Sequence, residues 1–310
     1  MSKSPRPPGN PEAVLRRLEW TVLRRLDGLL QGDYRTLFRG FGLDLADLRE
    51  YQYGDDVRHI DWNVTARLQT PYVREYHEDR EVNAWFLLDL SSSVDFGSEV
   101  KKQAIAGGFV ALIARLLTRQ GNRVGAVLYG NRVDRVIPAR GGRRHVLHLM
   151  HAIASRAELP PAPKGTNLRE LLESAYGVIN RRSLVFLVSD FLSTPGWERP
   201  LGQLAQRHEL IAVRLYDPME NELPDLGMVV MQDAETGEQL FVDTHDRGFR
   251  TRFAAASQRR EKALRGAFAR AGVDVLELST GEDLVSAIRR FAELRKRSSR
   301  TRGGRELSVA

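Results

Sequence analysis

The chain has 310 residues, 42% hydrophobic and 28% charged, with a formal net charge of +7, enough apolar material for one large domain with appendages or for two domains. The absence of cysteine excludes disulfides, thiolate metal sites and cysteine nucleophiles, and suits a reducing cytoplasm. The positive charge admits an acidic partner, whether nucleic acid, anionic lipid or an acidic protein surface, and by itself selects none of them.

The opening MSKSPRPPGNPEA is polar and proline-rich, without the apolar centre of a signal peptide. The longest apolar stretch, from Ala104 to Ala114, is cut at Arg115, short of a membrane span. A cytoplasmic protein without a membrane-spanning helix is therefore expected. Residues 1–32 form a first segment, in which Val14, Leu15, Leu18, Val22, Leu26, Leu29 and Leu30 recur at helical spacing and predict an amphipathic helix over Asn10 to Gln31. Residues 33–82 are dense in Gly, Tyr, Arg and Asp and carry no long period. They predict an irregular extension held by ion pairs and hydrogen bonds, or a docking surface, with a strand near Tyr72 to His77.

The chain then becomes regular over residues 83–290. Trp85, Phe86, Leu87 and Leu88 form the apolar run of a strand covered on both faces, and Asp89, Ser91 and Ser93 follow it at spacing two. Helices are predicted from Val100 to Arg119, Arg143 to Ser155, Leu168 to Arg181, Gly196 to Arg207, Thr251 to Ala271 and Glu282 to Arg297. They alternate with strands at Arg123 to Tyr129, Val133 to Pro138, Leu184 to Val188, Leu210 to Tyr216 and Asp274 to Leu278. A Gly130-Asn131 turn makes the Val133 strand antiparallel at the sheet edge. The fold class is α/β, a mostly parallel sheet with one antiparallel edge strand and helices on both faces. The basic run that closes the chain within residues 291–310 is expected to be a disordered tail.

In an open α/β sheet, ligands bind beyond the carboxyl ends of the strands. Asp89 and Asp190 both end apolar strands, and Thr166, in Gly165-Thr166-Asn167, stands at a helix start. Two carboxylates (Asp89, Asp190) and three hydroxyls (Ser91, Ser93, Thr166) are hard oxygen donors, suited to Mg²⁺, Mn²⁺ or Ca²⁺. No motif places a His, Lys or Cys beside them. The site therefore reads as non-enzymatic, with no nucleophile paired to a base. His145, His148 and His151 recur on one predicted helix and read as a half-exposed helix face.

Asp89-x-Ser91-x-Ser93, Thr166 and Asp190 resemble, in type, order and spacing, the metal-ion-dependent adhesion site of von Willebrand factor A domains. The flanking segments are more specifically similar to the bacterial domain-of-unknown-function family 58. Ahead of the site these are Arg49-Glu50-Tyr51, Gly54-Asp55, Arg58-x-Ile60-Asp61-Trp62 and Ala66-Arg67. Behind it they are Asp217-Pro218, Glu222-Leu223-Pro224, Gly227 and Asp233-x-Glu235-Thr236-Gly237-Glu238. Val94 stands where that family more usually has methionine. The resemblance implies a von Willebrand factor A-like fold and a divalent ion with one coordination position open to a partner's acidic residue. It also implies a protein-protein interaction role beside a MoxR-type AAA ATPase. Two alternatives are a metal-dependent phosphotransferase or hydrolase using Asp89, against which Ser91 replaces the second Asp such chemistry needs, and polyanion or nucleic-acid binding by the basic tail, which is not the expected role.

Overall fold

Asn83–Asp89 forms β3, at the centre of a six-stranded sheet in the computed structural model, which describes residues 48–53, 55–74, 83–97, 100–155, 165–232 and 238–306. The helix predicted over Asn10 to Gln31 lies outside the described residues, as do residues 75–82 of the extension. The described residues fall into two compact units: Asn83–Phe291, and those of Leu29–Val82 with Ala292–Ala310.

In the smaller unit, β1 (Leu48–Glu50) pairs antiparallel with β2 (Tyr72–Arg74), with α1 (Trp62–Leu68) between them in sequence. The buried Asp61 accepts the Val64 amide at 3.2 Å, capping α1, and donates its own amide to Tyr72 O at 2.8 Å. The Arg58–Asp56 pair is exposed.

The larger unit carries β4 (Arg123–Tyr129), β5 (Val133–Arg140), β6 (Leu184–Ser189), β7 (Glu209–Tyr216) and β10 (Asp274–Ser279) around β3, in the order β10-β7-β6-β3-β4-β5. Every pairing is parallel except β4 with β5, which is the antiparallel edge. This is the mostly parallel α/β sheet with one antiparallel edge strand that was expected. Apolar residues run unbroken along β3 because both faces are covered. Trp85 and Leu87 pack with α4 (Leu168–Val178), α5 (Glu198–Arg207) and α6 (Arg247–Ala271). Phe86 points the other way and stacks on Phe186 at 5.3 Å, whose ring Phe109 of α2 (Lys102–Arg119) meets edge-on. Full burial of side chains of this size stabilises by about 1.5–3 kcal/mol each.

Three features differ from expectation. The β4–β5 connection has three residues rather than two, and the ladder is bulged at both ends. A second hairpin, β8 (Met228–Gln232) with β9 (Gln239–Asp243), forms its own two-stranded sheet. It buries Val242 but leaves Met228, Val230 and Phe241 exposed on the opposite face. The last helix, α7 (Leu284–Glu306), continues through most of the basic run that was expected to be disordered. Among the described residues no helix is long and apolar enough to cross a membrane.

The chain leaves β3 towards β4 on one side, while β6 pairs with β3 on the other. The carboxyl ends of β3 and β6 are thus a switch point, where such sheets open a crevice.

Candidate metal centre at the carboxyl edge of the sheet

Leu88 is level with Val188 in the β3–β6 ladder, so Asp89 ends its strand beside Ser189, with Asp190 one residue further on. Asp89 is completely buried. Its Oδ1 accepts the Ser91 amide at 3.0 Å and its Oδ2 the Ser189 hydroxyl at 2.6 Å, so both oxygens are aimed by neighbouring donors. The chain then enters a 3-10 turn, Ser92–Asp95, that brings the hydroxyls of Ser91 and Ser93 within 3.1 Å of each other, both buried. Burial, first, and the nearby Asp190 charge push the Asp89 carboxyl from 3.8 up to about 6, against the pull of its hydrogen bonds.

The Thr166 loop is tied to the same edge from two sides. Its carbonyl accepts the Thr194 amide and the Ser193 hydroxyl, each at 3.0 Å, and Ser193 Oγ also accepts the Leu168 amide that opens α4. From the end of β4, the Tyr129 hydroxyl accepts the Asn167 amide at 3.0 Å. Asn167 takes the cap position of α4, leaving Thr166, buried, one residue before it. Phe191 holds a left-handed φ of 59°, an uncommon conformation for an aromatic residue and one that gathers at functional sites. Its ring is fixed edge-on against Phe268 and against Trp197.

A lysine stands where none was expected. Lys102, the first residue of α2, is fully buried, with its ammonium 2.6 Å from Asp190 Oδ2 and 2.7 Å from Glu220 Oε1. Burial opposes its charge, but the two carboxylates outweigh that cost and hold its pKa above the ordinary value. The two aspartates therefore do not face a divalent ion alone, because Asp190 already has a cation. Glu220 is itself fixed by a capping box: Asp217 accepts the Met219 amide at 2.9 Å, and the other oxygen of Glu220 accepts the Asp217 amide at 3.2 Å. Asp217 in turn accepts the Thr280 hydroxyl at 2.7 Å.

Both missed residues had a signal in the sequence. Lysines at positions 101 and 102 open a helix at its positive end, where a cation is unfavourable unless something else holds it. Asp217-Pro218-x-Glu220 has capping-box spacing. The histidines line a half-exposed helix face, as expected: His145 is half-buried and bonded to Val124 O, and His148 and His151 are exposed. Among the described residues no group of three or more His, Cys, Asp or Glu could hold a metal. An ion at this edge would rest on the hydroxyls as much as on the carboxylates.

The donor set fits a hard divalent ion in chemistry. Asp190 is paired with Lys102, but Asp89, raised first by burial and then by the Asp190 charge, is held by the Ser91 amide and the Ser189 hydroxyl and not by a cation, and a divalent ion would supply that charge. Beside them opens a cavity of about 700 Å³, with Ser93 and Asp190 among its lining. Glu198, Glu220 and Glu261 bring acid to it, and Phe191, Trp197 and Leu264 an apolar wall.

The family described as "Protein of unknown function DUF58" matches residues 47–263. The uncharacterized protein Rv1480 of Mycobacterium tuberculosis is 39% identical over 292 residues, covering 93% of this chain and 90% of the relative. The uncharacterized protein MAV169 of Mycobacterium avium is 36% identical over 163 residues, covering 53% and 95%. Among solved structures, an aerotolerance-related membrane protein from Bacteroides fragilis matches at 10% identity and TM-score 0.46, covering 70% of this chain and 99% of its own. The conserved hypothetical protein BatB from Bacteroides thetaiotaomicron matches at 11% and 0.43, with the same coverage.

Proposed function

The chain belongs to the DUF58 family, and from that premise we propose that it is a cytoplasmic, divalent-metal-dependent protein-protein interaction module of von Willebrand factor A type. One observation carries the reading: at the switch point of the sheet, buried Asp89, Ser91, Ser93 and Asp190 converge, and the loop of Thr166 is tied to the same edge. Mg²⁺ or Mn²⁺ bound there would offer one position to a partner's carboxylate. The chain's own residues orient that arrangement. Ser189 and the Ser91 amide aim Asp89, Leu192 N holds Asp190 Oδ1 at 3.0 Å, and Ser193 fixes the Thr166 loop.

The reading is non-enzymatic because the hydroxyls of Ser91 and Ser93 bond to each other, the lysine bonds to carboxylates, and the Ser189 hydroxyl, which meets Asp89, is fully buried and also accepts the Phe191 amide. The family resemblance makes a MoxR-type AAA ATPase the partner to test, with this chain as adaptor in a chaperone-like or assembly role. Purified ATPase should be retained on the immobilised full chain in Mg²⁺ and released by chelator, and Thr166→Ala and Asp190→Ala should each weaken retention. Equal retention in Mg²⁺ and chelator would defeat the proposal. Turnover of a phosphate or ester substrate by the isolated chain would defeat its non-enzymatic part.

A further inference from the structure

Lys102 joins the first turn of α2 to the loops that follow β6 and β7, with no exposed side-chain surface. A buried ammonium is costly unless its hydrogen bonds are satisfied, and here two carboxylates satisfy it. Each oxygen of Asp190 already accepts one hydrogen bond: Oδ1 the Leu192 amide and Oδ2 the ammonium. A divalent ion beside Asp190, as the proposed function requires, would meet the Lys102 ammonium as a like charge at 2.6 Å from the same carboxylate, and that repulsion loosens the Asp190–Lys102 bond. Glu220 is already within reach of the same ammonium. It is held there by Asp217, which is itself anchored by Thr280.

We propose that Lys102 is a tethered counter-cation of the metal site, holding Asp190 when no ion is bound and passing to Glu220 when a divalent ion takes its place. The inference rests on the metal reading above and adds a positioning residue that sets affinity and ion choice. Lys102 is always present beside Asp190 and carries one charge. A free monovalent ion gains no electrostatic advantage over it, whereas a divalent ion does. The arrangement therefore selects for divalent charge without a closed cage of ligands. Lys102 also fills the charge deficit left by the ion's absence, so the edge of the sheet stays ordered in either state.

The test is calorimetry of Mn²⁺ binding to the full chain, with K102M, K102R and E220Q beside the wild type. K102M should bind Mn²⁺ at least about tenfold more tightly, because it removes a competing charge next to a carboxylate of the site. It should also lose discrimination against Na⁺, read as a competitive effect of salt absent from the wild type. K102R keeps the charge and should remain near wild type. E220Q should bind more weakly by about the same factor, since the ammonium loses the carboxylate that would receive it. The sign separates this role from a merely structural one, because damaged packing weakens metal binding and cannot tighten it. Unchanged or weaker binding in a folded K102M overturns the inference while leaving the metal reading standing. Should K102M fail to fold, E220Q decides, and unchanged affinity there overturns it. A wild-type protein that binds no Mn²⁺ removes both the reading and the inference.

Discussion

Replacing Asp89 with Asn should make the metal-free protein more stable while abolishing its response to metal. The carboxyl sits fully buried with a second aspartate nearby, and its pKa rises from 3.8 to about 6. Ionising such a group in the folded protein costs about 3 kcal/mol at pH 7, at about 1.4 kcal/mol per pKa unit. Its hydrogen bonds already pull the other way, so this figure is net of them. Asn keeps an acceptor for the Ser91 amide but loses the charge-assisted bond from Ser189, a loss of about 1 kcal/mol. A net gain of about 2 kcal/mol remains, equivalent to a Tm increase of roughly 4–8 °C for a unit of this size.

The sign follows from linkage. A carboxyl whose folded pKa is raised favours the fold below about 3.8 and loses that contribution as pH rises through about 6. The wild type in chelator should therefore weaken across that window, D89N should not, and the gap between them should grow from pH 4 to pH 7. Differential scanning calorimetry in EDTA across that range measures it, and repeating the scans in Mn²⁺ should raise the Tm of the wild type alone. A D89N protein less stable than wild type at pH 7 in EDTA, or one stabilised equally by Mn²⁺, would refute the reasoning.

Three further outcomes are expected. Gly125→Ala should lower stability by about 1–3 kcal/mol, because its Cβ would come within 2.9 Å of Ala139 N, Ile137 O and Trp85 at the bulged β4–β5 ladder, and a thermal melt reads the loss directly. Burial lowers the pKa of His208, whose ring nitrogens have no partner among the described residues, so stability present above about 6.5 should be lost as pH falls through the folded value. His208→Leu should remove that part of the acid sensitivity and gain about 1–2 kcal/mol at pH 5.5. Deleting residues 298–310 should leave Mn²⁺ binding unchanged by calorimetry, and partner binding that falls with a flatter salt dependence would instead assign the basic run a polyanion-binding role.

The fold was legible because β3, β4, β6 and β7 are apolar and bounded by turn residues, and a parallel sheet covered on both faces leaves that mark. The β8–β9 hairpin was not, because its strands are separated by residues 233–238, whose composition reads as loop, and one of its faces stays exposed. The end of α7 was misread for a different reason. A run dense in Arg and Ser satisfies the composition of a disordered tail, and composition does not register that a helix already under way from Leu284 can continue through it. At the site, the hydroxyls and aspartates were visible as a spacing. Lys102 carried only a local signal, a cation at the start of a helix, because the carboxylates that hold it, Asp190 and Glu220, lie 88 and 118 residues away.

That span changes the chemistry of the edge. Hydrogen bonds run from Asp89 at the end of β3 to Ser189 at the end of β6. From the adjoining Asp190 they pass through Lys102 to Glu220 and Asp217 beyond β7, and to Thr280 beyond β10. The ends of four parallel strands thus share one buried polar network, in which each carboxylate is oriented by a donor from another segment. Partners in such a network couple, and substitutions within it do not add as distant ones do. Asp89 and Lys102 are linked through Asp190, whose charge raises Asp89 and whose Oδ2 accepts the ammonium, while the Ser189 hydroxyl serves Asp89 and its oxygen accepts the Phe191 amide at 2.8 Å. The two aspartates therefore cannot be treated as a fixed charge of minus two awaiting an ion. On the proposed metal reading, their readiness to receive an ion depends on how the lysine divides between Asp190 and Glu220.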